Sequence, residues 1–482
     1  MEGHHTEDGD TGGQSRRSVL KTTGALGVGA LLPAATGTAS ADDDGLGVVG
    51  DLLDTATDAT QETLVVFESN GAVSELGELD LAEGYLAFEV LPVGYALLTG
   101  PQVEEVASWD SVRYVEKNRD LDWHNDDAQE VTKVSQVQSN LGYTGSAAHT
   151  AVVDSGVDGD HPDLGAVANN YQWAGNPLGE PTLWLPVGGL DSDEIGHGTH
   201  CSGTIAGDGT ASDGQYEGMA PDATLTVYSS GAAISILKAA AAFDHLLANH
   251  ADDVQVVSNS YGSASADDYN PDGTLQTATW ETFEADVLPV FSAGNSGPGT
   301  DTLNDYAKAP HVLSVAATKD DRTVTDFSSR GRAASTGANY DRKTALDNLR
   351  AYYDSGSTSG PVGLYRNGVG APGNAVMSTM SPADPLQDGD TNLYYAAISG
   401  TSMSCPVTSG SATLVVDAYT QTQGSEPAPI DVLNTVEATA YEAHEGYTPA
   451  NVGAGFVDAL AAVTRAENGN LAGFGDVTLT QP

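Results

Sequence analysis

Cysteine is scarce in this chain: Cys201 and Cys405 are the only two among 482 residues. Two cysteines cannot build a disulfide framework. Basic residues are short as well. Only 18 Lys and Arg stand against 67 Asp and Glu, for a formal net charge of -49. That balance excludes nucleic-acid binding, because phosphate contacts need a basic surface. Attraction to an anionic membrane surface is excluded for the same reason. Long apolar runs are also lacking. The weakly apolar stretch from Gly24 to Leu32 falls far short of the ~20 residues that span a bilayer.

What remains is a chain with 40% hydrophobic residues, enough for a sizeable core. Its acid is scattered rather than gathered in a tail, so it does not read as a disordered acidic segment. Such self-repulsion strains a fold in dilute buffer. At molar salt the Debye length shrinks to about 3 Å and the strain largely disappears. The composition therefore predicts a protein adapted to high salt.

The first forty residues read as an address. Arg16 and Arg17 precede the Gly24–Leu32 run, and Ala39-Ser40-Ala41 has the small residues of a cleavage site. Paired arginines with modest hydrophobicity point to a twin-arginine signal over 1–41, and so to a secreted, extracellular protein. An acidic linker follows over 42–62. Apolar runs at 63–67, 85–91, 95–99 and 112–116, with helical spacing over 103–109, predict a small α+β unit over 63–124.

From residue 125 short β-rich runs alternate with Ala-rich stretches. Runs at 149–153, 224–228, 254–258, 287–291 and 311–317 predict strands of a mainly parallel sheet covered on both faces, an α/β domain over 125–466 with a short tail at 467–482. Active sites of such sheets gather beyond the C-terminal strand ends. Asp154 closes one strand, with Asp158, Asp160 and Asp163 following in a polar loop, as surface or ion-binding residues. His197 lies in Gly196-His197-Gly198-Thr199-His200. Two histidines at i, i+3 without a third ligand do not make a zinc site, and His197 reads as a general base. Asn295 sits on a Gly-containing turn after the 287–291 strand, where an amide can donate to an oxyanion. Ser402, in Ser399-Gly400-Thr401-Ser402-Met403-Ser404-Cys405-Pro406, is placed at a helix start, with Pro406 expected in the first turn. Asp, His and Ser occur in that order, as in subtilisin-type enzymes.

Together these motifs resemble the subtilisin-like serine protease family, and within it the secreted halophilic halolysins. The resemblance implies a three-layer fold and a small pro-domain that inhibits the enzyme until self-cleavage near His124. It implies a triad of Asp154, His197 and Ser402, with Asn295 at the oxyanion. Ser260, Tyr261 and Gly262 match the strand that binds substrate, and Asp163 matches a structural calcium ligand. No cofactor is implied for the chemistry itself. The implied partners are protein or peptide substrates and the pro-domain, in a monomer.

Cys201 and Cys405 fall beside two of these motifs, either paired or as buried free thiols. One departure from the family pattern is a polar insertion, 330–367, holding six of the basic residues. It reads as a salt-bridged surface excursion rather than a substrate or partner site. Two other functions compete with an endopeptidase: an idle binding protein on the same fold, and a serine esterase. The absence of a Gly-x-Ser-x-Gly elbow around Ser402 counts against the esterase.

Overall fold

The computed structural model describes residue 49 and residues 53–87, 92–117, 125–174, 184–387, 392–442 and 444–480. The leader, about half of the acidic linker and the expected cleavage point at His124 lie outside the described residues, as does the end of the run at 85–91. The chain divides into two compact units between residues 122 and 123.

The first unit is an antiparallel sheet of β1 (Gln61–Phe67), β2 (Tyr85–Ala87), β3 (Val93–Leu98) and β4 (Val112–Lys117), in the order β2-β3-β1-β4. Strand periodicity turns Val65 and Phe67 of β1 inward, against Leu76, Val103 and Val106. The Gly100–Ala107 helix starts where the Thr99 amide donates to the Gln102 side chain at 3.0 Å, with Pro101 in the first turn.

The second unit is built on eight strands: β5 (His149–Asp154), β6 (Val167–Trp173), β7 (Trp184–Pro186), β8 (Thr224–Ser229), β9 (Val256–Asn259), β10 (Leu288–Ser292), β11 (Leu313–Thr318) and β12 (Val369–Pro372). Their order is β12-β11-β10-β9-β5-β8-β6-β7, all parallel except β7. Alternate residues enter different cores. Val152 of β5 joins a core with Cys201, Val407 and Val463, whereas Ala151 and Val153 join one with Phe243, Trp280 and Leu346. Helices therefore cover both faces, the three-layer α/β arrangement that the alternating pattern predicts. A two-stranded ribbon of β13 (Val376–Thr379) and β14 (Tyr395–Ile398) stands apart from the large sheet.

β8 flanks β5 on one side and β9 on the other, so the strand order reverses direction there. A crevice opens beyond the strand ends at such a switch point. Asp154 and Ser260 stand on its two sides.

The 330–367 insertion is salt-bridged, as its sequence suggests, but it is more than a surface excursion. It contains the Arg342–Ser355 helix, capped where Asp341 accepts from the Thr344 amide at 3.0 Å. Leu346 and Leu349 bury against the sheet, each worth about 1.5–3 kcal/mol. Arg342 and Arg366 reach Glu437 inside the protein.

Candidate active site

Asp154 lies at the last position of β5, buried, and its Oδ1 accepts from His197 Nδ1 at 2.7 Å and from the Ser155 amide at 2.7 Å. His197 opens the His197–Ala206 helix behind Gly196, whose φ of 93° turns the chain into it. Gly198 lets that helix touch the Asp154 loop; a Cβ there would meet the Gly156 carbonyl at 2.2 Å. Burial opposes charge on His197. The Asp154 carboxylate outweighs it and holds the imidazolium pKa well above its usual value.

Asp193 fixes this geometry, and the motif search did not single it out. Its Oδ1 accepts from Ser155 Oγ at 2.8 Å and the Gly196 amide at 3.0 Å, while Oδ2 accepts from the Thr199 amide and hydroxyl at 2.7 and 2.8 Å. One carboxylate thus ties the Asp154 loop to the first turn of the His197 helix. A carboxylate just before a helix was the available signal. His200 is fully buried, bonds the Val376 carbonyl at 2.8 Å, and is kept neutral by burial, its pKa lowered to about 4.

Ser402 is the second residue of the Thr401–Gln423 helix. Pro406 is inside this helix, not in its first turn as expected. Proline lacks the N–H that would bond the carbonyl four residues back. The Ser402 carbonyl is therefore free of the helix, and accepts from Ser260 Oγ at 2.9 Å and Cys201 Sγ at 3.5 Å. Ser260 returns the contact, because its carbonyl accepts from Ser402 Oγ at 3.0 Å. The Ser402 hydroxyl consequently points at the strand continuing β9 and forms no hydrogen bond with His197.

Asn295 is exposed on the loop after β10. Its Oδ1 accepts from both the amide and the hydroxyl of Thr401, each at 2.9 Å. That leaves Nδ2 as the outward donor, on the side of Gly400, whose Cβ position is 3.4 Å away. The helix beginning at Thr401 adds first-turn amides that lack intrahelical partners.

Ser260 and Tyr261 extend β9. Tyr261 is held by its hydroxyl on Asn259 Oδ1 at 2.9 Å and by an edge contact with Phe291. Asn304 closes the space beside Gly262: its Nδ2 donates to the Tyr261 and Ser292 carbonyls, and a Cβ on Gly262 would collide with it at 2.1 Å. A separate cleft of about 620 Å³ borders the insertion, between Asp268, Asp301, Arg332 and Tyr365, and includes none of the Asp, His or Ser groups above.

Cys201 and Cys405 are unpaired and completely buried. Burial pushes the Cys201 thiol up to about 11 and raises that of Cys405, so both stay protonated near neutral pH. Asp163, where a calcium ligand is expected, is engaged by protein donors. Asp163 is fully buried, Oδ1 accepts from the Ala211 amide at 2.7 Å, and Oδ2 accepts from the Tyr395 hydroxyl. Each oxygen thus holds one protein donor and keeps a second lone pair.

A family model described as the Subtilase family matches residues 145–455. The chain belongs to the subtilase family. Among its relatives is the serine protease AprX of Bacillus subtilis (strain 168), 29% identical over 326 residues, or 64% of this chain and 65% of AprX. The subtilisin of Bacillus sp. (strain TA39) is 30% identical over 311 residues, 62% of each chain. The match thus spans less than two thirds of either relative. Among solved structures, the S41 Psychrophilic Protease superposes with a TM-score of 0.50 at 25% identity, covering 67% of this chain and 96% of that one.

Proposed function

We propose that this subtilase is a secreted serine endopeptidase that hydrolyses peptide bonds through an acyl-enzyme. The observation that carries the reading is the 2.7 Å Asp154–His197 pair, flanked by a hydroxyl at a helix start. An extended peptide pairs with Ser260-Tyr261-Gly262 by backbone hydrogen bonds. The Ser402 hydroxyl swings from the Ser260 carbonyl to His197 Nε2, gives up its proton there and attacks the scissile carbonyl. Asn295 Nδ2 and the Ser402 amide receive the oxyanion. His197 then protonates the leaving amine, and water repeats the sequence to release the acid. Asp154 holds the tautomer and stabilises the imidazolium throughout. The chemistry needs no cofactor.

The first unit acts as the pro-domain of a zymogen, cleaved near His124, and the leader directs twin-arginine export. The acidic surface suits work at high salt, as in halolysins. A serine-directed fluorophosphonate tests the reading: it should label the native protein, and Ser402→Ala should abolish both labelling and casein hydrolysis. Labelling without proteolysis, but with ester cleavage, would favour an esterase. No labelling would leave a binding protein. A salt series of folding and activity tests halophily separately; full activity in dilute buffer would remove it and leave the protease standing.

A further inference from the structure

β9 and β10 stay in parallel register as far as Asn259 and Phe291 and then part. Their continuations are the walls of a wedge. Ser260-Tyr261-Gly262 forms one wall, and Ala293-Gly294-Asn295 forms the other. Asn304 stands between them. Its Nδ2 donates to the Tyr261 carbonyl at 2.9 Å on one side and to the Ser292 carbonyl at 3.0 Å on the other. Its own amide donates to the Ala293 carbonyl at 2.8 Å, and its backbone pairs with Ala264 as an isolated antiparallel bridge. Its Oδ1 accepts from the Tyr306 amide at 3.2 Å.

Glycine faces this side chain from both walls. A Cβ on Gly262 would lie 2.1 Å from Asn304 Nδ2, and one on Gly294 would lie 3.7 Å from Asn304 Cβ. Asn304 is 1% exposed, so little open space is left around it. Both of its side-chain N–H bonds go to protein carbonyls. It therefore has no donor left for a ligand. Swinging the amide aside would leave the Tyr261 and Ser292 carbonyls without their donor, which is costly where water is excluded. Asn304 is a fixed stopper in the wedge and not a gate.

We infer that Asn304 sets the substrate class: this subtilase cleaves after small residues, Gly, Ala and Ser, and rejects aromatic and long aliphatic ones. The inference rests on the peptidase reading. In that reading the attacked carbonyl sits between Ser402 Oγ and Asn295 Nδ2, on a peptide paired with Ser260-Tyr261-Gly262. The side chain of the residue that supplies this carbonyl then enters the wedge and meets Asn304. A side chain too long for a rigid slot lifts the carbonyl away from the nucleophile, and a misplacement of about 1 Å costs roughly 10²-fold in rate. A polar side chain gains nothing over an apolar one of equal size, because the Asn304 amide is already satisfied. Selection is therefore by volume.

The test digests a mixed peptide library with the full chain and reads the residue on the N-terminal side of each cut by mass spectrometry. Gly, Ala and Ser should dominate. In matched peptides that differ at that residue alone, Ala should exceed Phe and Leu by about tenfold or more in kcat/KM, with Ser close to Ala. Asn304→Gly should raise kcat/KM for the Phe peptide by about tenfold or more and change the Ala peptide far less. Should that variant fold poorly, Asn304→Ser should move the Phe-to-Ala ratio in the same direction by a smaller factor. A merely structural role would lower both peptides together and leave the ratio alone. Cuts mainly after Phe, Tyr or Leu in the wild type, or an unmoved ratio in the variants, overturn the inference while the peptidase stands. Failure of the peptidase reading looks different: no peptide is cut and no fluorophosphonate label appears, and the inference falls with it.

Discussion

Asp154 and Glu437 are both buried carboxylates of one unit, 5% and 1% exposed, and both are held by basic side chains. The partners differ in kind. Glu437 accepts from Arg342 Nη2 at 2.5 Å and from Arg366 Nη1 and Nη2 at 2.9 and 2.8 Å. Burial favours its neutral form, yet the two guanidiniums hold its carboxyl below the usual range. Guanidinium does not deprotonate in a protein, so this cluster cannot change state near neutrality. Asp154 faces one imidazole, which titrates, and whose side chain is 20% exposed while Asp154 keeps 5%. A fixed countercharge locks the 330–367 insertion onto the C-terminal helices. A titratable one, open to the crevice, can pass a proton.

Substitution should separate the two clusters sharply. The largest effect is expected at the proposed reacting groups. Ser402→Ala or His197→Ala should each lower turnover by about 10⁶, a magnitude carried over from subtilisin's own triad, or roughly 8 kcal/mol. Unfolding by denaturant should barely move for Ser402→Ala. Unchanged peptide hydrolysis in either variant sinks the triad.

Asp154→Asn comes next, with a loss of roughly 10⁴ in kcat. It also moves a titration. The base must be neutral, so activity climbs as pH rises through the raised His197 pKa. Removing the carboxylate destabilises the imidazolium, and the acid limb of kcat/KM should shift to lower pH. Stability runs the other way. A raised folded pKa gives His197 a contribution that is full below its unfolded value near 6.5 and fades as pH rises through the folded value. A pH–rate profile with an unmoved acid limb would break the assignment of Asp154.

Glu437→Gln should act on stability alone. It strands two buried guanidiniums, at a cost of about 3–5 kcal/mol. The lowered Glu437 pKa fixes the sign of its pH dependence: the stabilisation is present above its unfolded pKa of about 4.3 and is lost as pH falls through the folded value. Denaturant midpoints at pH 7 and pH 3 should therefore converge between wild type and variant at the acid end. Loss of kcat per folded molecule would mean that the insertion reaches the active site.

The contrast also explains what the sequence made legible. Residues of the candidate site stand in dense small-residue motifs at strand ends, where the glycines are required by the backbone: Gly198 lies against the Gly156 carbonyl, and Gly294, next to Asn295, holds a φ of 98°. Such constraints leave a local signature. The buried ion cluster leaves none, because Arg342, Arg366 and Glu437 are distant in sequence and each looks like an ordinary surface charge. The same holds for Asp163, whose partner Tyr395 is 232 residues away. Among strands, β5 and β8 to β11 are short apolar runs and are readable. β6 is mixed in burial and reads as Val167-Ala168-Asn169-Asn170-Tyr171-Gln172-Trp173, without a clean period. β13 has only two apolar residues in a row, Val376 and Met377, and packs on helix His197–Ala206, where the Thr379 hydroxyl donates to the Thr199 carbonyl at 2.8 Å.

The finest comparison lies within the proposed oxyanion site, between the group proposed to touch the reaction and the group that aims it. Asn295→Ala should cost roughly 10²–10³ in kcat with little change in KM, again by analogy with subtilisin, because the donor acts only when charge develops. Thr401→Val leaves Asn295 in place but removes one of the two donors that fix Oδ1. The Thr401 amide still anchors the side chain, so the loss should be smaller, about tenfold, and again in kcat. Combining the substitutions should cost no more than Asn295→Ala alone, since Thr401 acts through Asn295. If the losses multiply instead, the Thr401 hydroxyl has a separate role in holding Ser402, and Asn295 is not aimed by it.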